Sequence, residues 1–126
     1  MRTSYRPEDV TLLLKDITGK LEPLDTRARE AKIQSGVHYS EMLPAEYVPT
    51  EKYIEAYDRA LACEADHTAA AVRTCARKIY EQKGKDVVLV SLARAGVPIG
   101  ILLRWYLKQH HGIDAPHYAI SIIRGR

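Results

Sequence analysis

The stretch Val87-Val88-Leu89-Val90-Ser91-Leu92-Ala93-Arg94-Ala95-Gly96-Val97-Pro98-Ile99-Gly100 (VVLVSLARAGVPIG, residues 87–100) decides the fold class. Val87–Val90 is an unbroken apolar, β-branched run. With no alternation to mark a wet face, it predicts a strand buried on both sides, as in a parallel sheet. Pro98 suits the first turn of a helix, and Ile99, Leu102, Leu103, Tyr106 and Leu107 continue at helical spacing until Gly112. Tyr118–Ile123 reads as a second strand. Strand, helix and strand in such close succession predict a right-handed βαβ crossover.

The turn between strand and helix is the most chemically suggestive part of the chain. Ligands of open α/β sheets bind beyond the carboxyl ends of strands. Unpaired N–H groups at a helix start suit an anion. Ala93, Ala95 and Gly96 leave the backbone approachable, and Arg94 offers a positive fork for phosphate oxygens. Ser91, Ala93, Arg94, Ala95 and Gly96 are therefore the candidate phosphate or pyrophosphate contacts. An ordinary βα turn with a solvated arginine fits the same residues. No Walker lysine follows, and the three-glycine dinucleotide spacing is missing.

Upstream, residues 1–84 read as mainly helical and residues 85–126 as strand–helix–strand, within a single domain. Pro7 opens an expected short helix with Val10, Leu13 and Leu14 on its apolar face, ended by Thr18-Gly19-Lys20. Asp25 or Thr26 caps a second helix that Ser35-Gly36 stops. Val37–Pro44 shows no clear period. From Thr50 to about Gln82, Ile54, Tyr57, Leu61, Ala65, Thr68, Val72, Ala76 and Ile79 step by three or four. One long helix, or two with a break near Glu64–His67, satisfies that spacing.

Composition excludes several classes. The 126 residues are 46% apolar and carry a formal charge of +3, globular values with only a mild basic excess. Nucleic-acid signatures are absent. No run approaches the length of a membrane span, and no apolar signal core follows the N-terminus. Cys63 and Cys75 lie about 18 Å apart along one helix, too far for a disulfide, so reduced thiols and a cytoplasmic location are expected.

Cys63 and His67 share a helix face. Catalysis by this pair needs an orienting third group and an oxyanion hole, and a packed cysteine beside a surface histidine is the simpler reading. His38, His67, His110, His111 and His117 show no zinc-ligand spacing, so no metal site is expected. The polar loop His38-Tyr39-Ser40-Glu41 and the basic residues Arg124 and Arg126 are possible ligand-facing groups, the arginines because they follow the second strand at the same end as Arg94.

Four blocks carry a family resemblance: Tyr5–Leu14 (YRPEDVTLLL), His38–Leu43 (HYSEML), Val88–Gly100 (VLVSLARAGVPIG) and His117–Gly125 (HYAISIIRG). They resemble the N-terminal portion of the phosphoribosyltransferase-like proteins of bacterial tellurite- and stress-resistance clusters, a family also labelled cysteine protease StiP. The resemblance implies an α/β fold with a helical N-terminal half packed on a partial parallel sheet of phosphoribosyltransferase (Rossmann-like) type. It also implies a phosphoribosyl or nucleotide-like ligand at Ala93–Gly96, with magnesium accompanying a pyrophosphate. A glycine of the usual Arg-Gly-Gly turn is Ala95 here. The acidic strand end and 5′-phosphate loop of that fold do not follow Ile123, so the chain is expected to be incomplete and not to catalyse transfer. A non-catalytic assembly module and a cysteine hydrolase are the alternatives. With only two strands, a sheet edge would be exposed, and self-association or a partner chain completing the sheet is expected.

Overall fold

The computed structural model describes residues 3–122 and is mixed α/β. Its elements are β1 (Thr11–Leu12), β2 (Pro23–Leu24), α1 (Thr26–Gln34), a 3-10 turn (Tyr39–Glu41), β3 (Leu43–Pro44), α2 (Glu51–Lys83), β4 (Leu89–Leu92), α3 (Gly96–His111) and β5 (His117–Ile120). The chain separates into two compact units, residues 15–56 and residues 3–14 with 57–122.

In the first unit, Asp25 caps α1 by accepting the Ala28 N–H at 2.7 Å, and Ser35-Gly36 ends the helix as its sequence predicts. β2 and β3 form a two-stranded parallel pair.

The second unit holds a three-stranded parallel sheet in the order β1-β5-β4. β4, α3 and β5 form the expected parallel crossover. The first expected helix does not form. Instead Pro7–Asp9 make a turn, and Thr11–Leu12 pair with Tyr118 and Ala119 of β5. That pairing makes β5 central and leaves β4 at an edge among the described residues. α2 is unbroken from Glu51 to Lys83, which resolves the choice between one helix and two. α3 begins two residues before Pro98 and ends at Gly112, whose φ of 65° is readily adopted only by glycine and whose N–H caps the Lys108 carbonyl.

Two apolar clusters anchor α3. Val97 and Ile101 pack with Val10 and Ala119, while Leu107 packs with Leu89, Ala115, Ile113 and Ala76 of α2. Burial of β4 alternates: Leu89 and Ser91 are buried, whereas Val90 is 60% exposed and Leu92 is also open. The apolar run therefore overstated burial. Among the described residues, one face of β4 is covered by α3 and the other is not.

Candidate functional site

Beneath the β4–α3 turn lies a buried polar relay. His117 of β5 is buried, and its Nδ1 stands 2.9 Å from the Asp9 carbonyl oxygen. A carbonyl only accepts, so Nδ1 carries a proton, and in the neutral ring Nε2 is left as an acceptor. The Ser91 hydroxyl lies 2.7 Å from that Nε2 and donates to it in this tautomer. The Asp9 carboxylate in turn accepts the Trp105 indole N–H at 2.6 Å. Four segments distant in sequence are thus tied by directional bonds, and each buried polar group is satisfied.

Gly100 makes this relay possible. A Cβ there would collide with Ser91 Oγ and His117 Nε2 and would lie 2.6 Å from His117 Cε1. α3 can approach the sheet so closely only because residue 100 lacks a side chain. The relay resembles a serine–histidine pair in its bonding but not in its access. Ser91 and His117 are both buried beneath the helix, so an incoming carbonyl has no path to the hydroxyl.

The structure separates the residues expected at the turn. Ser91 points into the relay. Arg94 and Ala95 are exposed, Ala93 and Gly96 are half-buried, and the Ala93–Arg94 peptide is cis. Ala95 gives α3 no side-chain cap. Of the backbone donors at the helix start, Val97 N–H is already given to the Arg94 carbonyl at 3.2 Å, and Pro98 has none. The turn residues carry no carboxylate to hold the magnesium expected with a pyrophosphate. His38, Tyr39 and Glu41 lie in the first unit, where the His38 and Tyr39 rings meet at 4.6 Å; the Ser40 backbone belongs to the same 3-10 turn. Arg124 and Arg126 lie outside the described residues.

A second cluster sits on α2. Glu64 Oε2 is 3.4 Å from His67 Nδ1, and both side chains are largely exposed. Cys63 is exposed rather than packed, as is Cys75. The spacing 63, 64, 67 places thiol, carboxylate and imidazole on neighbouring parts of one helix surface. Glu64 is a carboxylate neighbour of His67 that sequence reasoning missed, although its three-residue spacing from His67 was visible. Among the described residues no group of three or more histidine, cysteine, aspartate or glutamate side chains is arranged to hold a metal ion.

The fold and this thiol–imidazole cluster are set in context by comparison with known proteins. Residues 3–126 match the family described as tellurite-like stress resistance cysteine protease StiP, and the chain belongs to that family. It is also similar to the cysteine protease StiP of Acinetobacter baylyi (strain ATCC 33305 / BD413 / ADP1), with 42% identity over 124 residues, 98% of this chain and 32% of that protein. The chain thus spans about a third of the relative's length. No solved structure matches it.

These findings correct the expectation of a phosphoribosyltransferase-like ligand binder, because the family and the relative are both named as cysteine proteases. The physical reason for the error is that a strand, a small-residue turn and a helix recur in parallel α/β units of many functions. The sheet is parallel and small, as expected, and its more specific assignment to the phosphoribosyltransferase type has no support here. No helix among the described residues is long and apolar enough to cross a membrane.

Proposed function

We propose that the protein is a cysteine peptidase of the StiP type acting in stress resistance, and that within this chain Cys63 is the thiol, His67 its proton acceptor and Glu64 the group that orients His67. The observation that carries the assignment of roles is the Glu64–His67 contact at 3.4 Å, one turn from Cys63. A carboxylate on Nδ1 holds the proton there and leaves Nε2 to take the thiol proton. The thiolate then attacks the scissile carbonyl carbon. The tetrahedral intermediate collapses to a thioester, and the amine leaves with the proton from His67. Water, deprotonated by the same imidazole, hydrolyses the thioester and regenerates the thiol.

The α2 backbone around Cys63 is bonded within the helix and offers no N–H groups to the oxyanion. Those donors have to come from another segment. Cys75 has no histidine within a helical turn, which is why Cys63 is preferred. Two exposed reduced thiols fit the cytoplasm as the working compartment.

Hydrolysis of denatured casein by the purified protein tests the reading. Cys63→Ala is expected to abolish it, His67→Ala to lower it by about a hundredfold or more, and Cys75→Ala to leave it in place. A Cys63→Ala protein as active as its parent overturns the assignment.

A further inference from the structure

Among the described residues, the apolar stripe of α2 is only half covered. Val72 and Ala76 are buried, and Ala76 joins the core with Leu107 and Leu89. Three to four turns before Val72 the same stripe is open, with Tyr57 56% and Leu61 53% exposed. Here α2 and α3 border a groove of about 470 Å³. On the α2 side its wall is mainly small, with Ala65, Thr68 and Ala69; on the α3 side it is bulky, with Leu102, Trp105 and Tyr106. The small residues leave room that the large ones do not fill. A groove of this volume accommodates one or two large side chains.

Trp105 forms a fixed wall. Its ring is 49% exposed, yet its indole N–H is held by the buried Asp9 carboxylate. An anchored aromatic surface binds without paying much ordering entropy.

On the α2 side the mouth is flanked by acidic groups. Asp58 and Glu64 lie three residues before and after Leu61, so both flank it on the helix surface. Among the described residues, Glu64 is the one charged residue lining the groove. The nearby cations of α3, Arg104 and Lys108, are turned to Asp114 at 2.5 and 3.1 Å.

We propose that this groove binds a basic amphipathic peptide segment, whose apolar side chains enter between α2 and α3 while its Lys or Arg residues meet Asp58 and Glu64. Helix-in-groove recognition of this kind reads apolar anchors at helical spacing and uses rim charges for selectivity. The inference does not depend on the thiol chemistry of Cys63, although Glu64, placed beside His67 above, also stands on this rim; the test therefore reads binding by a Cys63→Ser protein and not activity.

Trp105 is the chain's single tryptophan and lines the groove; it also borders a neighbouring pocket with Tyr5 and Arg6, so the groove-filling variant below separates the two. The test titrates the Cys63→Ser protein with two synthetic helical peptides of identical leucine spacing, one with lysine and one with glutamate at the polar positions. The lysine peptide is expected to give a saturable blue shift of Trp105 and to bind about five- to tenfold more tightly than the glutamate peptide, a preference that salt diminishes. Reversing the rim with Asp58→Lys and Glu64→Lys, both exposed positions, is expected to invert the preference while the circular dichroism spectrum is unchanged. Filling the groove with Ala69→Phe is expected to weaken both peptides. The proposal is overturned if Trp105 does not respond to the lysine peptide, if both peptides bind equally, or if the rim reversal leaves the preference intact. It is equally overturned if light scattering shows a dimer whose formation alone shifts the Trp105 emission, since a second copy is then the occupant.

Discussion

Substituting Gly100 by alanine separates a helix that merely lies near the sheet from one locked against it. At an ordinary solvent-exposed helical position, glycine to alanine stabilises by up to about 1 kcal/mol through propensity and unfolded-state entropy. At Gly100 the new methyl group meets Ser91 Oγ and His117 Nε2 at impossible distances, and His117 Cε1 at 2.6 Å. Neither neighbour is a flexible side-chain end. Ser91 is fixed to β4, and the His117 ring is held at both nitrogens.

Relief therefore requires α3 to lift or the Ser91–His117 bond to break. Overpacking costs about 1–3 kcal/mol, and stranding a buried donor or acceptor costs about as much. Offset by the propensity gain, the net destabilisation is about 2–4 kcal/mol, or roughly 8–16 °C in Tm for a chain of this size. Urea and thermal unfolding followed by far-ultraviolet circular dichroism measure both. A Gly100→Ala protein as stable as its parent, or more so, refutes the close approach and with it the relay.

Other perturbations follow from the same contacts. Trp105→Phe removes the indole donor from the buried Asp9 carboxylate and is expected to cost about 1.5–3 kcal/mol in urea unfolding. Leu107→Ala empties a fully buried position and is expected to cost about 2–5 kcal/mol by the same assay. Hydrogen bonds from Lys108 and Arg104 hold the Asp114 carboxyl below its ordinary pKa. The folded protein favours the ionised form, so this contribution is present above the unfolded carboxylate pKa and lost as pH falls through the lowered folded value. Asp114→Asn is accordingly expected to be less stable than its parent at neutral pH, with the gap closing in strong acid; a gap independent of pH contradicts it.

The legible parts of the fold were those with local signals. The apolar run at Val87–Val90, Pro98 at the helix start, and Gly112 at its end predict β4, α3 and the approach to β5. β1 was illegible for a physical reason. Val10, Leu13 and Leu14 fit helical spacing, and a two-residue strand exists only through pairing with β5 more than a hundred residues away. Likewise Ser91 and His117 lie 26 positions apart, and nothing local to either shows that they meet. The functional reading went wrong differently. The turn at Ala93–Gly96 suggested an anion cradle, but sequence does not show that the N–H of Ala93 is given to Ile120 and that of Val97 to Arg94. Meanwhile Glu64 stood at helical spacing from His67 and needed only to be counted.

The central claim is that Cys63, not Cys75, is the functional thiol of a StiP-type peptidase chain. Its most direct test is competitive alkylation of the folded protein by limiting iodoacetamide at neutral pH, with each cysteine quantified by mass spectrometry. Cys63 is predicted to react faster than Cys75, and to lose that advantage in the His67→Ala protein. Equal rates for the two thiols, or a Cys63 advantage untouched by loss of His67, contradict the account.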